Sequence, residues 1–201
     1  GSELFGPDGQ FKNEIITEIA ATLAFSALQN NDKIGLILFS DEIELFIPPK
    51  KGKSHVLRII RELIEHKPNS KETDIAMALK YFSKVIKKKA IVFVLSDFIT
   101  DQYRETLKIV SGKHDVTGIR VYDKNEEQIP NLGMVQMEDQ ETGELVLVNT
   151  SSKSVRNHYQ ATYLGRAAYF KESFQKSGAG ALTCSVGESY VKKLLGYFKN
   201  R

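Results

Sequence analysis

Three oxygen-bearing residues stand where a chain of alternating helices and strands could use them together. Asp97 follows the apolar run 90–95, Thr73 precedes a helical stretch, and Ser2 lies just ahead of the first helical segment. Two hydroxyls and a carboxylate are hard donors, a set that suits Mg2+ or Mn2+ and is a poor match for zinc. Each also has a plain structural use. Threonine is a good helix N-cap and would leave Asp74 at the positive end of the helix dipole, while Asp97 could be a strand-end turn residue. The metal reading rests on their joint placement at the ends of neighbouring elements, where open α/β sheets bind ligands.

Other chemistries lack their residues. No GxGxxG follows a strand, and GxxxxGK[ST], GxSxG and HExxH are all absent, which removes the common nucleotide cradles, the hydrolase elbow and the zinc-protease pair. Gly178-Ala179-Gly180 follows a helix and lacks the third glycine, so it is expected to stop that helix. His55, His66, His114 and His158 have no ligand-like spacing and suit surface or helix-end positions. Cys184 is the sole cysteine, which excludes an internal disulfide, and its apolar setting without a cationic neighbour predicts an inert thiol. A receiver-type phosphoacceptor role for Asp97 would need an acidic pair on an earlier strand and a lysine on a later one; neither is recognisable. The chain is expected not to be an enzyme.

The elements that would position these residues follow from apolar spacing. In 12–30, Ile15, Ile19, Leu23 and Ala27 recur in four-residue steps with Ile16, Ala20, Ala24 and Leu28 beside them, a broad helical stripe. Residues 34–39 form a continuous apolar run, as in strands covered on both faces. Residues 43–47 alternate and lead to Pro48-Pro49, which suits an edge strand. Helices follow over 54–66 (Val56, Ile60, Leu63, Ile64) and from 73 (Ile75, Leu79, Phe82, Ile86), then the run 90–95. A helix with Tyr103, Leu107 and Val110 leads to a third strand, 116–121. The alternation predicts an α/β fold with an open, mostly parallel sheet flanked by helices. Beyond Asp123 the rhythm changes. Segments 134–139 and 144–149 flank Glu141-Thr142-Gly143 as a hairpin. A long helix from 151 buries Val155, Tyr159, Tyr163, Ala167, Phe170 and Phe174, and a strand at 181–186 and a helix at 190–198 close the chain. One domain is expected over 1–201, with a core at 11–123 and a hairpin-and-helix extension at 124–201.

With 41% hydrophobic and 26% charged residues in 201, the chain has the composition of a globular domain. It lacks both the ~20-residue apolar run of a membrane helix and an export signal, so a cytoplasmic location is expected. The net charge of +3 hides an imbalance: 151–201 carries nine Lys/Arg against two Asp/Glu, and 1–150 sums to −4. The basic stretch (Lys153, Arg156, Arg166, Lys171, Lys176, Lys192, Lys193, Lys199, Arg201) offers an alternative function, binding nucleic acid or an acidic protein. Against nucleic acid, Tyr159, Tyr163, Phe170 and Phe174 share the helix's apolar face and suit a core better than base stacking.

The stretch from Ala27 through IGLILFSDEIELFIPPKKGKSHVLRIIREL, then ETDIAMALKYF and AIVFVLSDF, resembles a bacterial family of von Willebrand factor A-like proteins found beside MoxR-type AAA+ ATPases. The resemblance covers 11–122 and extends toward SSKSVRNHY. It implies a non-enzymatic protein-interaction module with a metal-ion-dependent adhesion site. That site's signature is Asp-x-Ser-x-Ser after a first strand, a Thr in a second loop and an Asp in a third. Thr73 matches the second element, Asp97 the third, and Ser2 the last serine of the first. In such sites Mg2+ takes a carboxylate from a partner, here by implication a MoxR-type ATPase or its client. The pattern's first Asp, first Ser and preceding central strand do not occur in this sequence. The expectations are therefore an N-terminally truncated fragment, weak or absent Mg2+ binding, and self-association through the sheet edges left unpaired.

Overall fold

The computed structural model describes residues 8–70, 72–100, 102–138 and 145–199. Helix α1 (Asp8–Gln29) ends where Asn31 turns left-handed (φ 53°) and the Asp32 N–H reaches back to the Ala27 carbonyl at 2.8 Å. Asparagine tolerates that conformation better than most residues, so the polar run after the helix stops it as anticipated. Strands β1 (Ile34–Phe39) and β2 (Ile43–Lys50) form an antiparallel hairpin, followed by α2 (Lys53–Glu65) and α3 (Ile75–Val85). Then come β3 (Ile91–Ser96), α4 (Arg104–Ser111), β4 (Asp115–Tyr122) and a 3₁₀ turn (Lys124–Glu127). The chain continues through β5 (Met134–Glu138), β6 (Leu145–Asn149), α5 (Lys153–Lys176), β7 (Gly180–Ser185) and α6 (Tyr190–Lys199).

The architecture is the expected open α/β one. Strands β3, β4 and β7 form a parallel sheet in the order β3-β4-β7, while β1-β2 and β5-β6 are separate antiparallel pairs. The β5-β6 pairing matches the hairpin expectation; its turn lies outside the described residues. Among the described strands β1 pairs only with β2 and β3 only with β4.

Strand β4 is buried on both faces, which explains its near-continuous apolar character. On one face Val116 joins Val94, Leu107, Val110, Phe170 and Phe174 beneath α3, α4 and α5. On the other, Ile119 and Val121 join Ile19 of α1, Cys184 and Leu194 of α6. The two cores differ in chemistry. The α5 side is aromatic, with the Phe98 ring centroid 4.4 Å from Phe170, 5.5 Å from Phe174 and 5.8 Å from Tyr103. Aromatic packing of this kind contributes beyond the area it buries. The stripe on α2 is narrower than its sequence suggests: Val56 and Ile59 are buried, but Ile64 is 68% exposed. The helix rests on α1 and β1.

Gly118 lets α5 lie against β4. A Cβ built there would sit 2.6 Å from Phe174 Cε1 and 2.9 Å from Phe170 Cε2, and both rings are fixed by the cluster around them. Overpacking a rigid core typically costs about 1–3 kcal/mol. Gly118→Ala should therefore lower unfolding stability by roughly 2 kcal/mol in a urea titration, whereas Gly165→Ala, with open space at its Cβ, should not.

Candidate functional site

Asp97 leaves β3 at the C-terminal rim of the parallel sheet, one residue beyond the Ser96–Arg120 pair of the β3-β4 register. The next residue fixes its orientation. Phe98 adopts a left-handed backbone (φ 53°) and sends its fully buried ring into the aromatic core. A bulky residue rarely tolerates φ above zero, and here the surrounding rings hold it there. The turn is completed by Phe98 N–H donating to Ser96 Oγ (3.1 Å) and Ile99 N–H donating to Asp97 Oδ1 (3.3 Å). The Asp97 side chain remains 31% exposed at the rim.

An ammonium from α1 meets it there. Lys12 Nζ lies 3.5 Å from Asp97 Oδ2 and 2.6 Å from Glu126 Oε1 of the 3₁₀ turn, with its side chain only 11% exposed. Burial by itself would lower the Lys12 pKa. The hydrogen bond to Glu126 and the charges of both carboxylates outweigh it and hold the pKa above 10.5, so Lys12 is charged. Beside this triad, Arg120 of β4 donates from Nε to the Asp97 carbonyl (3.1 Å). Its guanidinium lies over the rings of Tyr122 (4.9 Å) and Tyr163 (5.2 Å). Tyr163 in turn donates to the Asp123 carbonyl (3.4 Å), and burial raises the pKa of both Tyr159 and Tyr163.

Thr73 sits in the loop before α3. The cap of that helix is Asp74, whose carboxylate accepts from Met77 N–H at 2.8 Å, so Thr73 is one residue outside the cap and its hydroxyl is not used by the helix. The loop is tied to the β1-β2 hairpin. Asp74 N–H donates to the Ser40 carbonyl (2.9 Å), Asn69 N–H to Glu44 Oε1 (3.0 Å) and Asn69 Nδ2 to Glu42 (3.1 Å). The Glu44 side chain, 2% exposed, also pairs with His66 Nε2. Burial pushes the Glu44 pKa up, but hydrogen bonds from Ser40, His66 and the Asn69 backbone prevail and hold it below 4.5.

Of the three sequence-based candidates, the structure sets Asp97 at the rim among Lys12, Glu126 and Arg120. It leaves Thr73 without a hydrogen bond to Asp97, and Ser2 lies outside the described residues. Mg2+ requires near-octahedral oxygen ligation. Among the described residues no group of three His, Cys, Asp or Glu could hold a metal, and the two carboxylates of this cluster, Asp97 and Glu126, both face the Lys12 ammonium. Lys12, Arg120 and Glu126 are absent from the sequence-based candidates. Arg120 had a visible signal, a lone charge inside the apolar strand 116–121; Lys12 and Glu126 had none.

The histidines divide. His55 bonds the Ile34 carbonyl (2.8 Å) and His66 pairs with Glu44, while His114 is buried edge-on against Phe82 with its pKa lowered by that burial. Burial likewise pushes the Cys184 thiol up, in keeping with an inert residue. Parts of the basic C-terminal stretch are internally engaged. Lys193 and Lys124 both hold Glu188, whose pKa falls to about 2, and Arg156 donates to the Thr150 carbonyl. Phe170 and Phe174 lie in the core.

Residues 1–168 match the family described as "Protein of unknown function DUF58". The chain belongs to that family. Among curated relatives, this DUF58 chain is 18% identical over 193 residues to "Uncharacterized protein Rv1480" of Mycobacterium tuberculosis, covering 94% of the chain and 61% of that protein. It is 20% identical over 158 residues to "Uncharacterized protein MAV169" of Mycobacterium avium, covering 77% and 93% respectively. The chain thus spans less than two thirds of the first of these relatives. Among solved structures it resembles the conserved hypothetical protein BatB from Bacteroides thetaiotaomicron, with a TM-score of 0.54 at 15% identity over 92% of this chain and 87% of that one. At that identity the likeness concerns the fold. Among the described residues of the DUF58 chain, no helix is long and apolar enough to cross a membrane.

The Glu44 clamp gives the Thr73 loop a pH dependence of definite sign. A carboxylate whose folded pKa lies below its ordinary 4.5 stabilises fully above that value, and the contribution is lost as pH falls through the folded pKa. Hydrogen exchange of the Asp74 amide, corrected for intrinsic rate, should therefore show protection that is constant above pH 5 and declines on acidification below about pH 4. In Glu44→Gln that decline should disappear.

Proposed function

We propose that this chain is the von Willebrand factor A-like interaction module of a larger protein, that it performs no catalysis, and that its contact surface is the rim at the C-terminal ends of β3 and β4. The observation that carries the reading is the gathering of charged groups (Asp97, Lys12 and Glu126), with the Asp97 side chain partly exposed, at one rim of parallel strands, where α/β folds engage ligands. An open depression of about 560 Å³ lies at the other end of β7, lined by Gly178, Ala179, Gly180, Leu182, Lys193, Gly196 and Tyr197. A smaller one of about 370 Å³ runs beside the 3₁₀ turn.

By resemblance, the partner is a MoxR-type AAA+ ATPase or its client presenting a carboxylate, and an ATPase partner sets the encounter in the cytoplasm. In the parent protein the reading includes Mg2+ or Mn2+ at Ser2, Thr73 and Asp97, which would supply an electrophilic point for that carboxylate. In this chain the Lys12 ammonium competes for Asp97, so divalent binding is weak or absent. Among the described residues one edge each of β1 and β3 has no strand partner, and these edges are a route to self-association.

Two measurements test this. Titration calorimetry of the chain with MgCl2 should give no micromolar binding, and a micromolar Kd would contradict the competition by Lys12. In biolayer interferometry against the MoxR-type ATPase encoded nearest its gene, Asp97→Ala should weaken binding at least tenfold. Equal binding by Asp97→Ala and the parent sequence would remove the rim as the contact surface.

A further inference from the structure

We propose that Arg120 is a metal-independent anchor at this rim for a single carboxylate of a partner protein. The inference rests on the rim being a contact surface but not on a metal ion. Arg120 lies on a strand whose neighbouring positions are apolar and packed, and the residue is only 5% exposed. A guanidinium cannot shed its charge at such a position, and a buried charge ordinarily requires a paired countercharge. Among the described residues, no carboxylate lies within ion-pair distance of it.

The acids nearby are committed elsewhere. Asp97 and Glu126 face Lys12, and Asp123 accepts from the Asn125 N–H at 2.8 Å. What Arg120 does have is one carbonyl and two tyrosine faces. A guanidinium carries five N–H donors, so this partnership leaves part of the fork without a protein acceptor. None of its nitrogens is an orphan sealed from solvent, so the remaining donors open onto the rim.

Tyr122 and Tyr163 hold the guanidinium by cation–π contact, which fixes its plane without neutralising its charge. A planar, preoriented fork matches a carboxylate in bidentate fashion. The surrounding charge selects the ligand. Asp97 and Glu126, which face Lys12 at the same rim, repel a phosphate dianion or a polyanionic backbone more than one carboxylate set among neutral or basic residues.

The test uses the whole chain in EDTA with side-chain 15N NMR of the Arg120 Nε–H. The probes are the peptide Ac-Ala-Glu-Ala-NH2, its Gln counterpart and inorganic phosphate. The expected result is a saturable millimolar shift with the Glu peptide, none with the Gln peptide, and weaker binding of phosphate. Arg120→Lys, followed by shifts of the neighbouring backbone amides, should weaken the Glu peptide at least tenfold, since a lysine keeps the charge but loses the fork. Thermal melting checks that this variant folds. Tyr163→Phe keeps the aromatic face over the guanidinium and should bind the Glu peptide equally or more tightly, so the proposal remains testable if Arg120→Lys unfolds.

Equal response to the Glu and Gln peptides, unchanged affinity in Arg120→Lys, or loss of binding in Tyr163→Phe would overturn the anchor. Tighter binding of phosphate than of the Glu peptide would also overturn it, in favour of a phosphate or nucleic-acid surface. Carboxylate binding that appears only when MgCl2 replaces EDTA would reject the anchor and leave the metal-based reading standing. Binding in EDTA that is indifferent to Asp97→Ala would support the anchor even if the metal-based reading failed.

Discussion

The rim depends on where the Phe98 ring goes. Its left-handed backbone is unfavourable for a bulky residue, and it persists because Tyr103, Phe170 and Phe174 enclose the ring completely. That one burial links three things. It ends β3 abruptly, it turns Asp97 outward at the edge of the sheet, and it seats α5 on β4 through the gap that Gly118 leaves. Loss of the aromatic packing would free the backbone to relax, and Asp97 would lose its fixed orientation with it.

Around that fixed point the charges are arranged unequally. Lys12 has two carboxylates and is stabilised in its charged form despite burial. Arg120 is buried as deeply but is held by a carbonyl and by tyrosine faces. Aromatic faces stabilise a cation more weakly than a desolvated carboxylate does. The asymmetry, a buried guanidinium with no carboxylate within ion-pair distance among the described residues, is what the proposed carboxylate contact is built on.

The Thr73 loop is held by a different device. Glu44 collects a hydroxyl, an imidazole and a backbone amide within a nearly closed pocket, and through them binds the β1-β2 hairpin to the loop before α3. The hydroxyl of Thr73 is left out of this arrangement and out of the helix cap that Asp74 provides.

Sequence periodicity was enough to determine the elements, their order and the α/β class, because buried faces impose 3.6-residue and continuous apolar patterns on local sequence. It also located Asp97 at a strand end and Cys184 in an apolar setting. It could not determine which strands share hydrogen bonds, because apolar character marks burial and not the neighbour; the described strands accordingly divide into three sheets and not one. The partners of Asp97 were equally out of reach. Lys12 and Glu126 are 85 and 29 positions from it, and their approach is set by how α1 and the 3₁₀ turn pack against the sheet. Charge pairing across such separations is a property of the packed chain, so only the tertiary structure decided that an ammonium faces Asp97 and that, among the described residues, Arg120 has no carboxylate within ion-pair distance.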